Sequence, residues 1–303
     1  MGRRVVPTFG RRRFVVPAFV LLVLFWGSAF TAVKVGLDYS PPVLFAGMRS
    51  FVGGLTITAV ALVWGGRPNL GRDWGVFSLL SALNVVLFLG LQTFAVMLLP
   101  SGTAAVVIYL QPILIGVLAW FVLGERLSAG KISGLLLGFA GIVAVSAGGF
   151  SGEISAAGVA FAVASALSWA LGTVYFKRVQ ERVSMLWAVA LPFLSGGLVL
   201  SALGLAMERP AEISWTRLYV ASLLYSGLFG TGLAWVLWLG LVRAGEASRV
   251  AAYVFFVPLV SVVIGAFFLN ERLSLSLLVG AALVVCGIYL ANRTPGDAKK
   301  ATV

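Results

Sequence analysis

Long apolar stretches separated by short charged segments are the main pattern along this 303-residue chain. A helix needs about 20 apolar residues to cross a hydrocarbon core about 30 Å thick. Six stretches reach that length without a charged residue, namely residues 14–33, 154–176, 183–207, 218–242, 250–270 and 273–292. Each of them predicts one membrane-spanning helix.

Three further regions complete the pattern. Residues 74–124 are uncharged over about twice the necessary length, and Pro100 and Gly102 supply a turn signal that divides them into two helices. Residues 43–64 are interrupted only by Arg49, and residues 132–149 are short but continuously apolar. The sequence therefore predicts an all-α polytopic membrane protein with ten transmembrane helices.

Composition supports this class, and the loop charges predict a topology. Sixty per cent of the residues are hydrophobic, 11% are charged, and the mean hydropathy is +1.05. A net charge of +12 would suggest nucleic acid in a soluble protein, but here the basic residues lie in loops. With a cytoplasmic N-terminus, 17 of the 22 Lys and Arg residues fall on the cytoplasmic side, as the positive-inside rule requires. We expect a protein of the bacterial-type cytoplasmic (inner) membrane with both termini in the cytoplasm.

A pentapeptide shows that the chain contains a repeat. The sequence GERLS at residues 124–128 recurs as NERLS at residues 270–274, a shift of 146 residues. The same shift superimposes Pro112 on Pro258, Glu125 on Glu271, Arg126 on Arg272, Gly141 on Gly287 and Ile142 on Ile288. A shift of 143 places Trp26 on Trp169 and Lys34 on Lys177. These matches predict two five-helix repeats, residues 14–149 and 154–292, joined by a linker at 150–153 and flanked by tails at 1–13 and 293–303.

An odd number of helices in each repeat has a consequence for the topology. The second copy must enter the membrane from the opposite side, so the two repeats are inverted. Inverted repeats are the architecture of alternating-access carriers, because each half can adopt the conformation of the other. We therefore expect a site that opens to either face of the membrane in turn.

The motifs of the repeat resemble a known family. Towards the end of each repeat, a proline is followed by about eleven residues, then by Gly or Asn, and then by ERLS. Near the start of the chain, residues 26–34 read W-G-S-x-F-x-x-x-K. This combination resembles the EamA branch of the drug/metabolite transporter superfamily over nearly the whole chain, and it is most similar to the YddG-type exporters. The resemblance implies export of aromatic and other neutral amino acids. Asn270 departs from the usual glycine, with little consequence because Asn also tolerates turn conformations.

Aromatic and uncharged polar residues at helical spacing predict the substrate site. Trp26 and Phe30 share one face of the first helix, and Trp169 and Thr173 repeat the arrangement on the sixth. Polar amides are costly in lipid and should face the bundle interior, where they can bind a zwitterionic substrate or a neighbouring helix. The other candidates are Asn84, Phe88, Gln92, Tyr109, Gln111, Tyr225, Trp235, Trp238 and Tyr253. The alternative interpretation is plain packing against lipid and neighbouring helices.

Prolines and charged junctions predict moving parts. Pro112 and Pro258 each free a carbonyl one turn back and permit a bend, which favours a hinge. The gate candidates are the charged residues of the repeated motif: Glu125, Arg126, Glu271 and Arg272. In the alternative interpretation they form turns capped by Ser128 and Ser274, with charges in interfacial water, since exposed ion pairs are weak.

The mechanism is inferred from groups that the sequence lacks. There is no histidine, and all ten acidic residues lie at or beyond helix ends, whereas proton antiport usually relies on a buried titratable group. We expect facilitated, alternating-access export of neutral, aromatic or large apolar amino acids, with no cofactor or metal. Two alternatives are proton-coupled export of other small metabolites or drugs, and an intramembrane enzyme, for which an acid/base or metal constellation is missing.

Arg49 is the one charged side chain predicted well inside a span. It could reach outward to the interface, pair with a loop carboxylate such as Asp38, or bind a substrate carboxylate. The partners expected for the chain are a small-molecule substrate and the lipid bilayer, without nucleic acid, and the sequence predicts no oligomeric state.

Overall fold

The computed structural model describes residues 12–99, 101–146, 154–268 and 275–292, and these residues form helices, turns and loops without a strand. The helices are α1 (Arg12–Leu37), α2 (Pro42–Trp64), α3 (Leu70–Ser81), α4 (Phe88–Leu98), α5 (Ser101–Ile108), α6 (Gln111–Leu123), α7 (Ala129–Ser146), α8 (Ala156–Val179), α9 (Met185–Met207), α10 (Arg217–Tyr225), α11 (Ala234–Ala244), α12 (Ala247–Ala252), α13 (Phe256–Phe268) and α14 (Leu275–Asn292). The predicted linker, the C-terminal tail, and the gate candidates Glu271 and Arg272 lie outside the described residues.

Eight helical runs in the described part of the chain are long and apolar enough to cross a membrane. They are Val15–Leu37, Pro42–Trp64, Leu70–Leu98, Thr103–Leu123, Ala129–Ser146, Ala156–Val179, Met185–Met207 and Arg217–Ala244. Two shorter apolar helices, Ala247–Ser261 and Leu278–Asn292, lie where the ninth and tenth spans are predicted. The prediction of an all-helical, multi-span membrane protein is confirmed, and the count of ten spans stays a prediction.

Two of these runs contain π-helical segments. The third run changes from α3 to a π-helix at Ala82–Leu87 before α4, and the eighth changes from α10 to a π-helix at Ser226–Leu233 before α11. The two π segments begin 144 residues apart, close to the shifts that relate the sequence repeats. A π turn disturbs the regular α-helical hydrogen bonds and is frequent at functional sites, so both segments mark places to look for function.

The predicted hinge positions coincide with breaks in two helices. Residues Tyr109 and Leu110 separate α5 from α6, and Pro112 stands in the first turn of α6. The 3-10 turn Tyr253–Phe255 separates α12 from α13, and Pro258 stands in the first turn of α13. Proline is tolerated in a first helical turn because the N–H groups there have no intrahelical acceptor. Both prolines therefore begin a helix after an irregular turn.

Glycine allows the closest helix contacts. Helix α2 packs along α9, and α7 packs along α14. A Cβ atom at Gly54 would overlap the backbone of Leu194, and one at Gly134 would overlap the backbone of Ala291. Small residues at such interfaces let backbones approach in a membrane, where lipid is as apolar as the side chains.

Two helices lie among the elements of the other half. Helix α1 contacts α10, α11, α13 and the second π segment, whereas α8 contacts α4, α5, α6 and the first π segment. The first helix of each sequence repeat is therefore surrounded by the third and fourth spans of the other repeat. Helix α1 keeps an exposed face along Val16, Val20 and Leu24, so only its other face lies against these elements.

The loops contact one another as the predicted topology requires. At one end, Arg182 pairs with Asp73 at 2.7 Å and Arg243 pairs with Glu181 at 3.4 Å. At the other end, the carboxylate of Glu208 accepts hydrogen bonds from the backbone N–H groups that begin α2, at 2.7 and 2.8 Å. Each of these contacts joins loops that the charge pattern predicts on the same side. We call the end of the molecule that contains Asp73 and Arg182 the 73/182 end.

We predict that Gly54→Ala destabilises the fold, because its methyl group has no room against the Leu194 backbone. Overpacking of this kind costs about 1–3 kcal/mol, which lowers the melting temperature of the detergent-solubilised protein. The matched control is Gly75→Ala on α3, where no atom lies within 4 Å of the added Cβ and removal of a helical glycine should stabilise slightly. Equal melting temperatures for the two variants would contradict the tight α2–α9 contact.

Candidate functional site

Five predicted aromatic residues meet where Trp26 of α1 touches Trp169 of α8. We call them the aromatic cluster, and they are Trp26, Phe88, Trp169, Trp235 and Trp238. Their ring centroids lie 4.7–6.2 Å apart in the contacting pairs. Four of the five side chains are buried, and Trp26 is half-buried. The residues matched by the sequence repeat, Trp26 and Trp169, touch edge to face at 5.5 Å.

The π segments supply hydrogen-bond acceptors to α1 and α8. The indole N–H of Trp26 donates to the carbonyl oxygen of Gly230 at 3.0 Å. The Ser168 hydroxyl donates to the carbonyl oxygen of Leu83 in the first π segment at 2.8 Å, and the Ser165 hydroxyl donates to the carbonyl oxygen of Phe88, which begins α4, at 3.0 Å. The Leu83 carbonyl also accepts a hydrogen bond from the backbone N–H of Phe88, and its second lone pair accepts from Ser168. Each π segment therefore holds the first helix of the other repeat.

Seven buried polar atoms on the helices that carry or contact the cluster have no hydrogen-bond partner among the described residues. They are Asn84 Oδ1, Gln111 Oε1 and Nε2, Trp169 Nε1, Thr173 Oγ1, Thr231 Oγ1 and Trp238 Nε1. A buried polar group without a partner costs about 1–3 kcal/mol, so groups of this kind indicate a function. The set holds donors and acceptors but no formal charge. It can therefore bind a small molecule that has both N–H and C=O or carboxylate groups.

Two predicted tyrosines lie apart from the aromatic cluster. The hydroxyl of Tyr225 hydrogen-bonds with that of Ser28 at 2.7 Å, and Tyr225 is 36% exposed. Tyr253 is half-buried and stacks on Phe19, with ring centroids 4.1 Å apart. These residues do not form the centre of the site. They contact α1 on either side of Trp26, at Ser28 and at Phe19.

The remaining candidates have mixed positions. Tyr109 is buried at the break between α5 and α6, beside Gln111. Gln92 is half-buried on α4, about one turn beyond Phe88. The side chain of Phe30 lies outside the described part of the chain.

Arg49 stands about two turns into α2, on the side that faces the second π segment. A Cβ at Gly227 would lie 3.1 Å from the carbonyl oxygen of Arg49. Asp38 is exposed, and no ion pair joins it to Arg49 in the described residues. The interpretation that Arg49 pairs with Asp38 is therefore wrong.

Glu125 binds across the boundary between the two sequence repeats. Its carboxylate accepts hydrogen bonds from the backbone N–H of Ala247 at 2.6 Å and of Ser248 at 3.1 Å, and from the Ser248 hydroxyl. These N–H groups begin α12, where the helix end attracts negative charge. The Glu125 side chain is only 9% exposed, so the interpretation of a turn with charges in interfacial water is wrong for this residue.

Two lysines complete the contacts around the turn at residues 242–248. Lys131 is buried and lies 2.9 Å from the Glu246 carboxylate and 3.0 Å from the Ser248 hydroxyl. Lys177 donates to the carbonyl oxygens of residues 242, 243 and 245, at 2.8–3.2 Å. A cation is favourable at this C-terminal end of α11. We call Glu125, Lys131 and Lys177, with the 242–248 turn that they hold, the clamp.

The Glu246 carboxyl of the clamp has a lowered pKa. Burial alone would raise the pKa of the Glu246 carboxyl, but its hydrogen bond and charge contact with Lys131, and then those with Arg249, hold that pKa below its ordinary value of 4.5. Since the pKa is lowered in the folded state, this carboxylate stabilises the clamp above pH 4.5 and loses that effect as the pH falls further.

The other members of the repeated motif have different positions. Arg126 is exposed and has no ion pair among the described residues, so the solvated interpretation fits it. The Ser128 hydroxyl accepts a hydrogen bond from the Lys131 N–H at 3.3 Å and caps α7, as the sequence predicts. Glu271 and Arg272 lie outside the described residues.

Sequence reasoning missed several residues of the site. Phe193 packs on Trp235 at 4.9 Å, but an apolar residue in an apolar span carries no signal. Lys131, Glu246 and Ser248 were overlooked because their contacts join residues more than 100 positions apart. Charged residues next to predicted helix ends were the available signal.

In the described residues no group of three or more His, Cys, Asp or Glu side chains could hold a metal ion.

Comparison with known proteins finds relatives in sequence and a solved structure with a similar fold. The chain is 44% identical over 280 residues to the uncharacterized transporter YvbV of Bacillus subtilis, covering 92% of each protein. It is 28% identical over 286 residues to a protein of Salmonella typhimurium named a probable amino-acid metabolite efflux pump, covering 89% of this chain and 92% of that one. A solved crystal structure at 22% identity superimposes with a TM-score of 0.81 over 97% of this chain and 100% of that chain. That likeness shows the fold alone.

The strongest match is to a family, and it occurs twice. Residues 13–147 and residues 156–293 each match the EamA-like transporter family. Together the two matches cover nearly the whole chain. The relatives are transporters, so the alternative of an intramembrane enzyme is wrong. The chain therefore belongs to the EamA-like transporter family and is a membrane transporter, not an enzyme.

Proposed function

We propose that this transporter exports neutral amino acids with aromatic or large apolar side chains across the cytoplasmic membrane. The observation that carries the proposal is the aromatic cluster with its buried, uncharged and unpartnered polar atoms. Indole rings offer a large apolar surface for a side chain, and the orphaned donors and acceptors match the amino and carboxylate groups of a zwitterion. The relative named as an amino-acid metabolite efflux pump supports the same substrate class.

The transport cycle is alternating access between two inverted five-helix halves, residues 14–149 and 154–292. Three observations support the inverted duplication. The family matches each half separately, the π segments recur at equivalent positions in the third and eighth runs, and α1 and α8 each contact the other half in the same way. The matched residues Trp26 and Trp169 touch each other, as residues beside an axis that relates the halves would. Both termini are cytoplasmic in this topology.

The clamp is the gate on the cytoplasmic side. It joins the predicted cytoplasmic ends of spans 4, 5 and 6 to the turn between spans 8 and 9 through charged groups that are mostly shielded from solvent. Breaking a buried ion pair by removing one partner typically costs 3–5 kcal/mol, so the contacts are strong enough to hold one end shut. Irregular turns before Pro112 and Pro258 provide hinges for the helices that must move. The second copy of the motif, at Glu271 and Arg272, acts at the other face.

Transport is driven by the substrate gradient. All acidic residues of the described chain lie near helix ends, and none lies beside the aromatic cluster. A proton-coupled carrier needs a titratable group that changes its protonation with the state of the site. The uncharged centre favours a facilitator over the alternative of proton antiport of metabolites or drugs.

The test of the proposed function is uptake of a labelled panel of amino acids, sugars, amines and nucleotides into liposomes that contain the purified protein. We predict uptake of phenylalanine, tryptophan and leucine without an imposed pH gradient. Thr173→Val and Gln111→Leu should reduce that uptake at least about tenfold while leaving the melting temperature unchanged or higher, because their polar atoms have no partner in the fold.

The matched control is Thr58→Val on α2, whose hydroxyl already donates to the carbonyl oxygen of Gly54 at 2.7 Å. It should lower stability slightly and leave uptake unchanged. Uptake restricted to another chemical class would contradict the substrate assignment. Uptake that occurs only with an imposed pH gradient would contradict the facilitator mechanism.

We predict that Glu125→Gln opens the clamp, because the helix-capping carboxylate loses its charge. Charge-assisted hydrogen bonds contribute about 1.5–3 kcal/mol each, so the population of the open state should rise about tenfold or more. The readout is the reaction rate of a cysteine introduced at buried Thr173, in a Cys286→Ala background, with an impermeant thiol reagent added from the clamp side.

Glu212→Gln is the control for this experiment, because it makes the same chemical change at an exposed position away from the clamp. It should leave the reaction rate within twofold of the parent. If Glu125→Gln reacts no faster than Glu212→Gln, the clamp does not control access.

A further inference from the structure

A basic cleft lies at the 73/182 end of the molecule, outside the transport site and the clamp. It has a volume of about 160 Å³ and is formed by the turn between α2 and α3 together with the turn between α8 and α9. Three arginines line it, Arg67, Arg72 and Arg182, and the apolar side chains of Phe77 and Val183 are buried beneath them. The cleft therefore joins the two halves of the chain at one surface.

The charges of the cleft do not balance. Asp73 is its one acidic lining residue, is 5% exposed, and lies 2.7 Å from the guanidinium of Arg182. Arg72 is 3.8 Å from the same carboxylate. Arg67 is exposed and has no ion pair among the described residues. Three guanidinium groups and one carboxylate leave two positive charges for an external anion.

Hydrogen bonds hold the shape of the cleft without an occupant. Arg182 also donates to the carbonyl oxygen of Arg72 at 2.6 Å, which fixes the two turns together. The indole N–H of Trp187 donates to the carbonyl oxygen of Gly66 at 2.8 Å. Gly66 has a positive φ of 67°, so the turn that carries Arg67 is defined by a conformation that favours glycine. These hydrogen bonds therefore hold the backbone of the turn that carries Arg67 and Arg72.

The surroundings place the cleft at the level of lipid headgroups. Trp64 ends α2 and Trp74 lies in the first turns of α3, and both side chains are exposed, by 59% and 67%. Tryptophan is enriched at the boundary between hydrocarbon and water. Basic pockets between transmembrane helices on the cytoplasmic side are suited to anionic headgroups, and guanidinium groups bind phosphate in a bidentate manner.

We propose that this cleft binds the phosphate group of an anionic membrane lipid, held by Arg67 and Arg72 while Arg182 stays paired with Asp73. The occupant neutralises the excess charge and ties the α2–α3 turn to the α8–α9 turn. The site is independent of the substrate and of the transport mechanism. Its partner is a phosphate-bearing headgroup such as that of phosphatidylglycerol.

The experiment is native mass spectrometry of the full-length protein released from nanodiscs that contain phosphatidylglycerol and phosphatidylcholine in equal amounts. We predict preferential retention of phosphatidylglycerol by the parent protein. Each arginine near an anionic lipid contributes a factor of about five in affinity. Arg67→Gln should therefore weaken retention about fivefold, and the double variant Arg67→Gln and Arg72→Gln about 25-fold.

The matched control is Arg178→Gln, which removes one exposed charge at the predicted cytoplasmic side without touching the cleft, and should retain the lipid within twofold of the parent. Equal losses for Arg67→Gln and Arg178→Gln would overturn the proposal, because they would show diffuse surface attraction. A second arm adds inorganic phosphate to lipid-free protein in detergent. An Arg67-dependent rise in melting temperature there, without lipid retention, would overturn the lipid as the source and assign the cleft to soluble phosphate.

Discussion

The edge-to-face contact between Trp26 of α1 and Trp169 of α8 is the interaction around which the candidate site is built. Each of these helices is surrounded by the third and fourth spans of the opposite half. The π segments also bind the two helices, because the carbonyl oxygen of Gly230 accepts from Trp26 and that of Leu83 accepts from Ser168. In a membrane these helices gain little from hydrophobic contact with one another, so tight packing and interhelical hydrogen bonds must supply the specificity.

Charge is distributed so that the centre can bind and the ends can close. The centre combines aromatic rings with unpartnered amide, hydroxyl and indole groups, which suits a neutral or zwitterionic guest. The clamp instead uses full charges, with Lys131 and Glu125 shielded from solvent and matched to helix ends and to each other. Buried charges are costly unless they are paired. The proposed gate role rests on this cost, because opening the clamp would leave charges without their partners.

Much of this arrangement could be predicted from the sequence. Uninterrupted apolar stretches predicted the spans, and the shift of 143 residues singled out Trp26 and Trp169, which do meet. The π segments could not be predicted, because they share no sequence signal: residues 226–233 contain three glycines, whereas residues 82–87 contain none. The partner of Glu125 could not be predicted either. It is a helix terminus 122 positions away, and no local pattern indicates which backbone N–H groups a carboxylate will cap.

The central claim is that the two halves have opposite orientations in the membrane and enclose one site between them. The most direct measurement is labelling of single cysteines at Ser128 and Ser274, in a Cys286→Ala background, with an impermeant thiol reagent applied to either side of sealed vesicles. We predict that Ser128→Cys reacts from the cytoplasmic side and Ser274→Cys from the outer side. Reaction of both cysteines from the same side would contradict the inverted duplication and the alternating-access cycle that depends on it.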